Sequence, residues 1–152
     1  MKAYVGIDPG KGGASALITS EGEVVTVDYP GDVTLAADLL RGWKIEFDIR
    51  LAALESAHSM PGQGVKSVFS FGRNFGAWEG ILAALGIPYA LVSPREWQKG
   101  MVKPSDGSDP KTRSLAVARR LFPSVDLSHK KDHGRADSLL LAYWARRNDG
   151  EG

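Results

Sequence analysis

"MKAYVGIDPGKGGASALI", residues 1–18, carries an apolar run through Ile7 straight into Asp8 and a loop of Pro9, Gly10, Lys11, Gly12 and Gly13. A carboxylate at the end of a buried strand is costly unless donors or a cation meet it. Asp8 therefore either caps a tight turn or holds a metal. Residues 14–19 and 23–29 read as two further strands with Glu21-Gly22 between them, so the first third of the chain is an antiparallel meander.

Beyond it, Leu35, Leu39 and Leu40 indicate a helix capped by Asp32 or Thr34, and "RLAALES" (50–56) a fourth strand. The stretch from Gly64 to Gly86 is periodic at helical spacing through Val65, Val68, Phe69, Phe75, Ile81, Leu82 and Leu85. Gly72, Gly76 and Gly80, four apart, suit a helix pressed closely on a sheet. "IPYALVS" (87–93) is a fifth strand. Ser93-Pro94-Arg95-Glu96 then opens a short helix carrying Trp97, with the spacing of a capping box and proline at the first helical position. Residues 100–109, rich in Gly, Pro, Ser and Asp, read as a mobile loop. Asp109-Pro110 starts a helix that stops at Pro123, and "RADSLLLAYWARR" (135–147) is the last helix. This order implies one α/β domain over 1–152, a five-stranded mixed sheet flanked by helices. Strand one lies beside strand two and, through a helical crossover, beside a parallel strand four.

The chain's 152 residues suit a single domain, and 43% hydrophobic with 24% charged residues suit a water-soluble one. No run has the length of a membrane span, and no secretory leader pattern opens the chain, so the expectation is a cytoplasmic protein with no membrane partner. The absence of cysteine excludes disulfides, thiolate chemistry and sulfur-ligated zinc. A net charge of +1 does not announce a polyanion partner, yet Lys99, Lys103, Lys111, Arg113, Arg119, Arg120, Lys130 and Lys131 cluster in the last third. That cluster is either a solvated surface, the commoner case, or one face for a polyanion.

If strands one and four are parallel neighbours about 4.8 Å apart, Asp8 and Glu55 converge at one edge of the sheet. Two unpaired acids repel there, and a hard divalent cation such as Mg²⁺ or Mn²⁺ relieves the repulsion with oxygen ligands. Asp137 sits a turn before the apolar stripe of Leu139, Leu140, Leu141, Tyr143 and Trp144, where a carboxylate also needs a reason. His133, four residues earlier, shares its helix face, while Asp132 lies about 140° away around the axis. The competing reading is that Asp132, His133 and Asp137 only cap the helix. Coincident capping at Asp8, Glu55 and Asp137, three acids set against apolar sequence, is less economical than one shared ion.

Five segments together make the sequence resemble the RuvC-type Holliday junction resolvases, a branch of the ribonuclease H-like nucleases, and within them the short phage-type proteins. They are "GIDPGKGGA" (6–14), the stretch from "LESAHSMPGQGVKS" to "ILAALGI" (54–87), "VSPREWQK" (92–99), "ARRLFP" (118–123) and "DHGRADSLLLA" (132–142). The resemblance implies a homodimer that binds branched DNA, the four-way junction, and nicks two symmetric strands to leave 5′-phosphate and 3′-hydroxyl ends. It implies two ions per active site, Mg²⁺ or Mn²⁺, held by Asp8, Glu55 and Asp137. Where familiar bacterial resolvases place an acid or histidine three residues before the last ligand, this chain has Gly134. His133 is then the favoured fourth ligand and Asp132 the alternative. Lys11, Lys66, Phe69, Phe71, Arg73, Asn74, Arg95, Lys99, Lys103 and Lys111 are the candidate DNA contacts, with Phe71 preferred over Phe69 as a base-stacking platform because it lies off the apolar stripe.

Rival readings share parts of this pattern. An actin- or sugar-kinase-type ATPase needs a second phosphate loop and more chain, and "GKGGAS" places its lysine before the glycines, unlike a Walker A loop. A ribonuclease H acting on RNA–DNA hybrids, or a nuclease for flaps, shares the same metal site. A catalytically silent DNA-binding module would have no use for the three acids.

Overall fold

A computed structural model of the protein describes residues 1–56 and 62–150. Positions 57–61 of the long resolvase-like stretch lie outside the described residues. Strands β1 (Lys2–Asp8), β2 (Ala14–Thr19) and β3 (Val24–Asp28) form the meander; helix α1 (Val33–Glu46) crosses over to β4 (Asp48–Glu55), and α2 (Val65–Leu85) to β5 (Tyr89–Val92). Helices α3 (Pro94–Gln98), α4 (Pro110–Leu121) and α5 (His133–Asn148) follow. The five-stranded sheet has the order β3-β2-β1-β4-β5, antiparallel among the first three and parallel across β1–β4 and β4–β5. No helix among the described residues is long and apolar enough to cross a membrane.

Alternation along the central strands sorts side chains into two cores. Ala3, Val5 and Ile7 of β1, with Ala52 and Leu54 of β4, pack against Ala36, Leu40 and Trp43 of α1 and Trp78 and Leu82 of α2. Tyr4 of β1 and Ala53 of β4 face the other way, onto Leu115 and Ala118 of α4 and Leu139, Leu140 and Ala142 of α5. Asp8 shares the parity of Tyr4, and Glu55 that of Ala53, so both acids leave the sheet on the α5 side. Their neighbourhood depends on one irregularity: the β1–β4 register slips by a residue after Ala3, pairing Tyr4 with Leu51 and Ile7 with Leu54. The next two positions are Asp8 and Glu55.

Close approach of helix to sheet occurs at a glycine other than those the sequence suggests. A Cβ on Gly6 of β1 would lie 2.0 Å from the Ser138 carbonyl oxygen and 2.3 Å from the Ala142 nitrogen, so α5 lies directly on the β1 backbone. Gly72, Gly76 and Gly80 of α2, expected to press on the sheet, instead have open space where a Cβ would stand. The first turns of α2 likewise leave the core, with Val65 87% and Phe69 70% exposed. The burying stripe begins only at Phe75 and Trp78.

Capping residues settle other boundaries. Asp32 and not Thr34 caps α1, its carboxylate accepting from the Thr34 and Leu35 nitrogens at 2.7 and 3.2 Å. Helix α5 starts at His133, two residues before the expected start at Arg135. The 100–109 segment is more built than a mobile loop: a 3₁₀ turn at Pro104–Asp106 is closed by the Lys103 nitrogen donating to Asp106 (2.7 Å), and Arg113 donates to the Gly107 carbonyl (2.8 Å).

Candidate active site

Asp8 ends β1 almost wholly buried, and one carboxylate oxygen accepts from the Gly10 nitrogen at 3.0 Å. The turn-capping role is therefore real, and it occupies only part of the carboxylate. Burial holds its pKa above the usual range, against the Gly10 bond and the nearby His133. Glu55, at the end of β4, accepts from the indole Nε1–H of Trp97 at 2.7 Å. Burial and then the Asp8 carboxylate push it up to about 7, with the Trp97 bond opposing. Asp137 comes from the first turns of α5. It is raised well above the ordinary carboxylate value by burial and then by Asp8 and Glu55, while a hydrogen bond from Ser114 of α4 and the charge of Lys111 oppose the rise. Three acids from three elements thus act on one another across one patch at the carboxyl edge of the sheet.

The two candidates for a fourth position separate. His133, half-buried, lies within electrostatic reach of both Asp8 and Lys111; burial and Lys111 lower its pKa while Asp8 raises it. Asp132 is buried elsewhere. One of its oxygens accepts from the His129 nitrogen at 2.9 Å, closing a 3₁₀ turn at Lys130–Asp132, and the other stands 3.7 Å from Arg135. Gly134 is filled by a neighbour: a Cβ there would lie 2.2 Å from the Gly12 carbonyl oxygen, because the β1–β2 loop rests on the start of α5.

Oxygen and imidazole donors of this kind suit a hard divalent cation, and three mutually repelling, desolvated carboxylates are the electrostatic setting that favours one. As placed, no three histidine or acidic side chains among the described residues form a group able to hold an ion.

Lys11 of the β1–β2 loop and Lys66 and Phe71 of α2 line a cleft of about 290 Å³ with Gln63, Ser67 and Ser70; none of the three acids lines it. Lys111 stands on the first turn of α4 beside Asp137 and His133. Arg73, Arg95 and Lys103 are exposed and Asn74 is half-buried. Lys99 is not brought to the Lys11 cleft; it lines a separate one of about 240 Å³ with Trp97, Met101 and Trp144. Phe71 is half-buried and stacks on Phe75 with centroids 6.5 Å apart, leaving Phe69 as the projecting ring. Trp97, Ser114 and Arg135 escaped the sequence reading. Arg135 grips Asp28 of β3 through two bonds of 2.7 and 2.9 Å, tying the start of α5 to the sheet edge. Only the buried serine in the apolar run of α4 carried a sequence signal.

Sheet order and crossover pattern are those of the ribonuclease H-like fold in the form taken by RuvC. Two Thermus thermophilus RuvC structures, one of them in complex with a Holliday junction substrate, match with TM-scores of 0.62 and 0.61. Each match covers 97% of both chains, at 17% and 18% identity. Over 88 residues, 57% of the chain, the sequence is 39% identical to the chloroplastic Holliday junction resolvase MOC1 of Chlamydomonas reinhardtii, and that match covers 10% of the relative's length. No protein-family model matches the chain.

Proposed function

We propose that the protein is a divalent-metal-dependent endonuclease that resolves four-way DNA junctions by paired symmetric nicks. The observation that carries this reading is the convergence of Asp8, Glu55 and Asp137, from β1, β4 and α5, on one edge of a RuvC-like sheet. The segment similar to a Holliday junction resolvase, and the likeness to a RuvC bound to its junction, favour that substrate over others.

Asp8, Glu55 and Asp137 would hold a pair of Mg²⁺ or Mn²⁺ ions, with His133 as the fourth ligand and Asp132 as the alternative. When bound, the ions supply an activated water and neutralise charge at phosphorus, leaving 5′-phosphate and 3′-hydroxyl ends. Asp8, pinned to the Gly10 nitrogen, presents its carboxylate in one orientation. Lys111 offers a cation to a phosphate oxygen beside Asp137, and the Lys11–Lys66 cleft fits a strand backbone. Phe71, which lines that cleft, is the ring placed to stack on an opened base step in this reading. Arg73, Asn74, Arg95, Lys99 and Lys103 are the further contacts in this reading, and the cytoplasm of a bacterial or phage-infected cell its compartment.

We also propose a homodimer built on α2. Val65, Phe69, Gly72, Gly76 and Gly80 fall within about 80° of one another around the helix axis, and all are exposed. With no Cβ at the three glycines, a second copy of the helix can come close.

The test runs a mobile four-way junction, a plain duplex and an RNA–DNA hybrid in parallel with Mg²⁺ or Mn²⁺, for the wild type and Asp8→Asn, with gel filtration for subunit count. Expected are a dimer, symmetric nicking of the junction, and an Asn variant that binds the junction without cutting it. A fully active Asn variant overturns the metal assignment, and preference for the hybrid moves the reading to ribonuclease H activity.

A further inference from the structure

We propose that Trp97 is a positioning residue for Glu55, holding that carboxylate in the one orientation from which it can serve a divalent cation; the proposal rests on the metal-site reading above. The indole is 1% exposed, seated in the core between the sheet and α4–α5, and its Nε1–H donates to Glu55 Oε2 at 2.7 Å. A glutamate turns about three side-chain torsions, whereas a packed indole has almost no freedom. A short bond to a carboxyl oxygen from so rigid a donor selects one rotamer and engages Oε2, which leaves Oε1 for the ion.

The chemistry of the donor matters as much as its place. Indole N–H donates only, carries no charge and does not ligate, so it orients Glu55 without cancelling the negative charge that attracts a cation. A lysine or arginine at that point would neutralise the ligand it held. The local sequence delivers the ring: Glu55 pairs with Val92 across β4–β5, and Ser93 caps α3 by accepting from the Glu96 nitrogen at 3.2 Å with Pro94 at the first helical position. Trp97 follows five residues after Val92, on the turn that returns over Glu55.

The experiment measures Mn²⁺ affinity without DNA, by electron paramagnetic resonance of the free ion, for the full-length wild type, Trp97→Phe, Glu55→Gln and the double variant. Circular dichroism checks that each is folded. Wild type should bind. Glu55→Gln should weaken binding, and Trp97→Phe should weaken it roughly tenfold, as removal of a partner that orients a ligand typically does. In the Glu55→Gln background Trp97→Phe should add little further loss. Unchanged affinity for Trp97→Phe, or an equal loss in both backgrounds, overturns the positioning role while leaving the metal site standing. A wild type that binds no Mn²⁺, or no effect of Glu55→Gln, overturns the metal reading and this proposal with it. Should Trp97→Phe not fold, the indole N–H resonances of the wild type decide: Mg²⁺ should move the Trp97 signal more than those of Trp43, Trp78 and Trp144. An unmoved Trp97 signal in a protein that binds Mn²⁺ overturns the proposal.

Discussion

Gly134 occupies the position where a ligand is expected from the resolvase pattern, and its surroundings explain the departure. The Gly12 carbonyl stands 2.2 Å from where a Cβ would be, so any side chain there drives the β1–β2 loop off α5. Gly134→Ala is expected to cost about 1–3 kcal/mol in urea denaturation. Neighbouring residues divide the remaining work. His133 lies within electrostatic reach of Asp8, whereas Asp132 closes the 3₁₀ turn and lies near Arg135. His133→Ala should therefore remove most of the junction cleavage at nearly unchanged stability. Asp132→Ala should cut stability by about 1 kcal/mol, as loss of a cap does, and leave more cleavage. Single-turnover cleavage and thermal melting on both variants separate the roles, and the opposite ranking reassigns the fourth ligand to Asp132.

Helix α2 is two structures in one element. Its first turns stand clear of the core, and further along Trp78 and Leu82 are buried against the sheet while Gly72, Gly76 and Gly80 form a bare face on the opposite side. Glycine in a helix interior costs about 0.5–1 kcal/mol relative to alanine. Three of them on an exposed face weaken the monomer unless close approach by a partner offsets the cost. Gly76→Ala should raise the melting temperature of a monomer slightly, and Gly76→Glu should abolish dimerisation without unfolding the chain. Sedimentation velocity beside thermal melting reads both. A monomeric wild type under the same conditions would remove the argument for this face.

For the molecule as a whole, the clustered acids make stability depend on pH. Glu55 is raised from 4.5 to about 7, and Asp8 and Asp137 move in the same direction. Since the folded state then holds protons that the unfolded chain has released, the contribution is fully present below about 4.5 and is lost as pH rises through 7. For Glu55 alone it is on the order of 3 kcal/mol. In EDTA the protein should melt at a lower temperature at pH 8 than at pH 5. Mg²⁺ or Mn²⁺ should restore much of the difference at pH 8 by binding the folded state. Equal melting at the two pH values, with no response to metal, argues against clustered carboxylates.

Strand and helix types, the crossover from β1 to β4, and the meeting of Asp8, Glu55 and Asp137 at one sheet edge were legible in the chain, because period-two and helical patterns and misplaced acids are local signals. Which glycine lets a helix touch the sheet was not. Gly6 and Gly76 look alike in a sequence, and only the packing of α5 on β1 distinguishes them. The same holds for the one-residue register slip after Ala3 and for the indole of Trp97 reaching Glu55 from 42 positions away. Local patterns set what each segment becomes, whereas alignment of one strand against another and contacts between distant side chains depend on the balance of packing across the whole fold, which exists only once the chain has closed on itself.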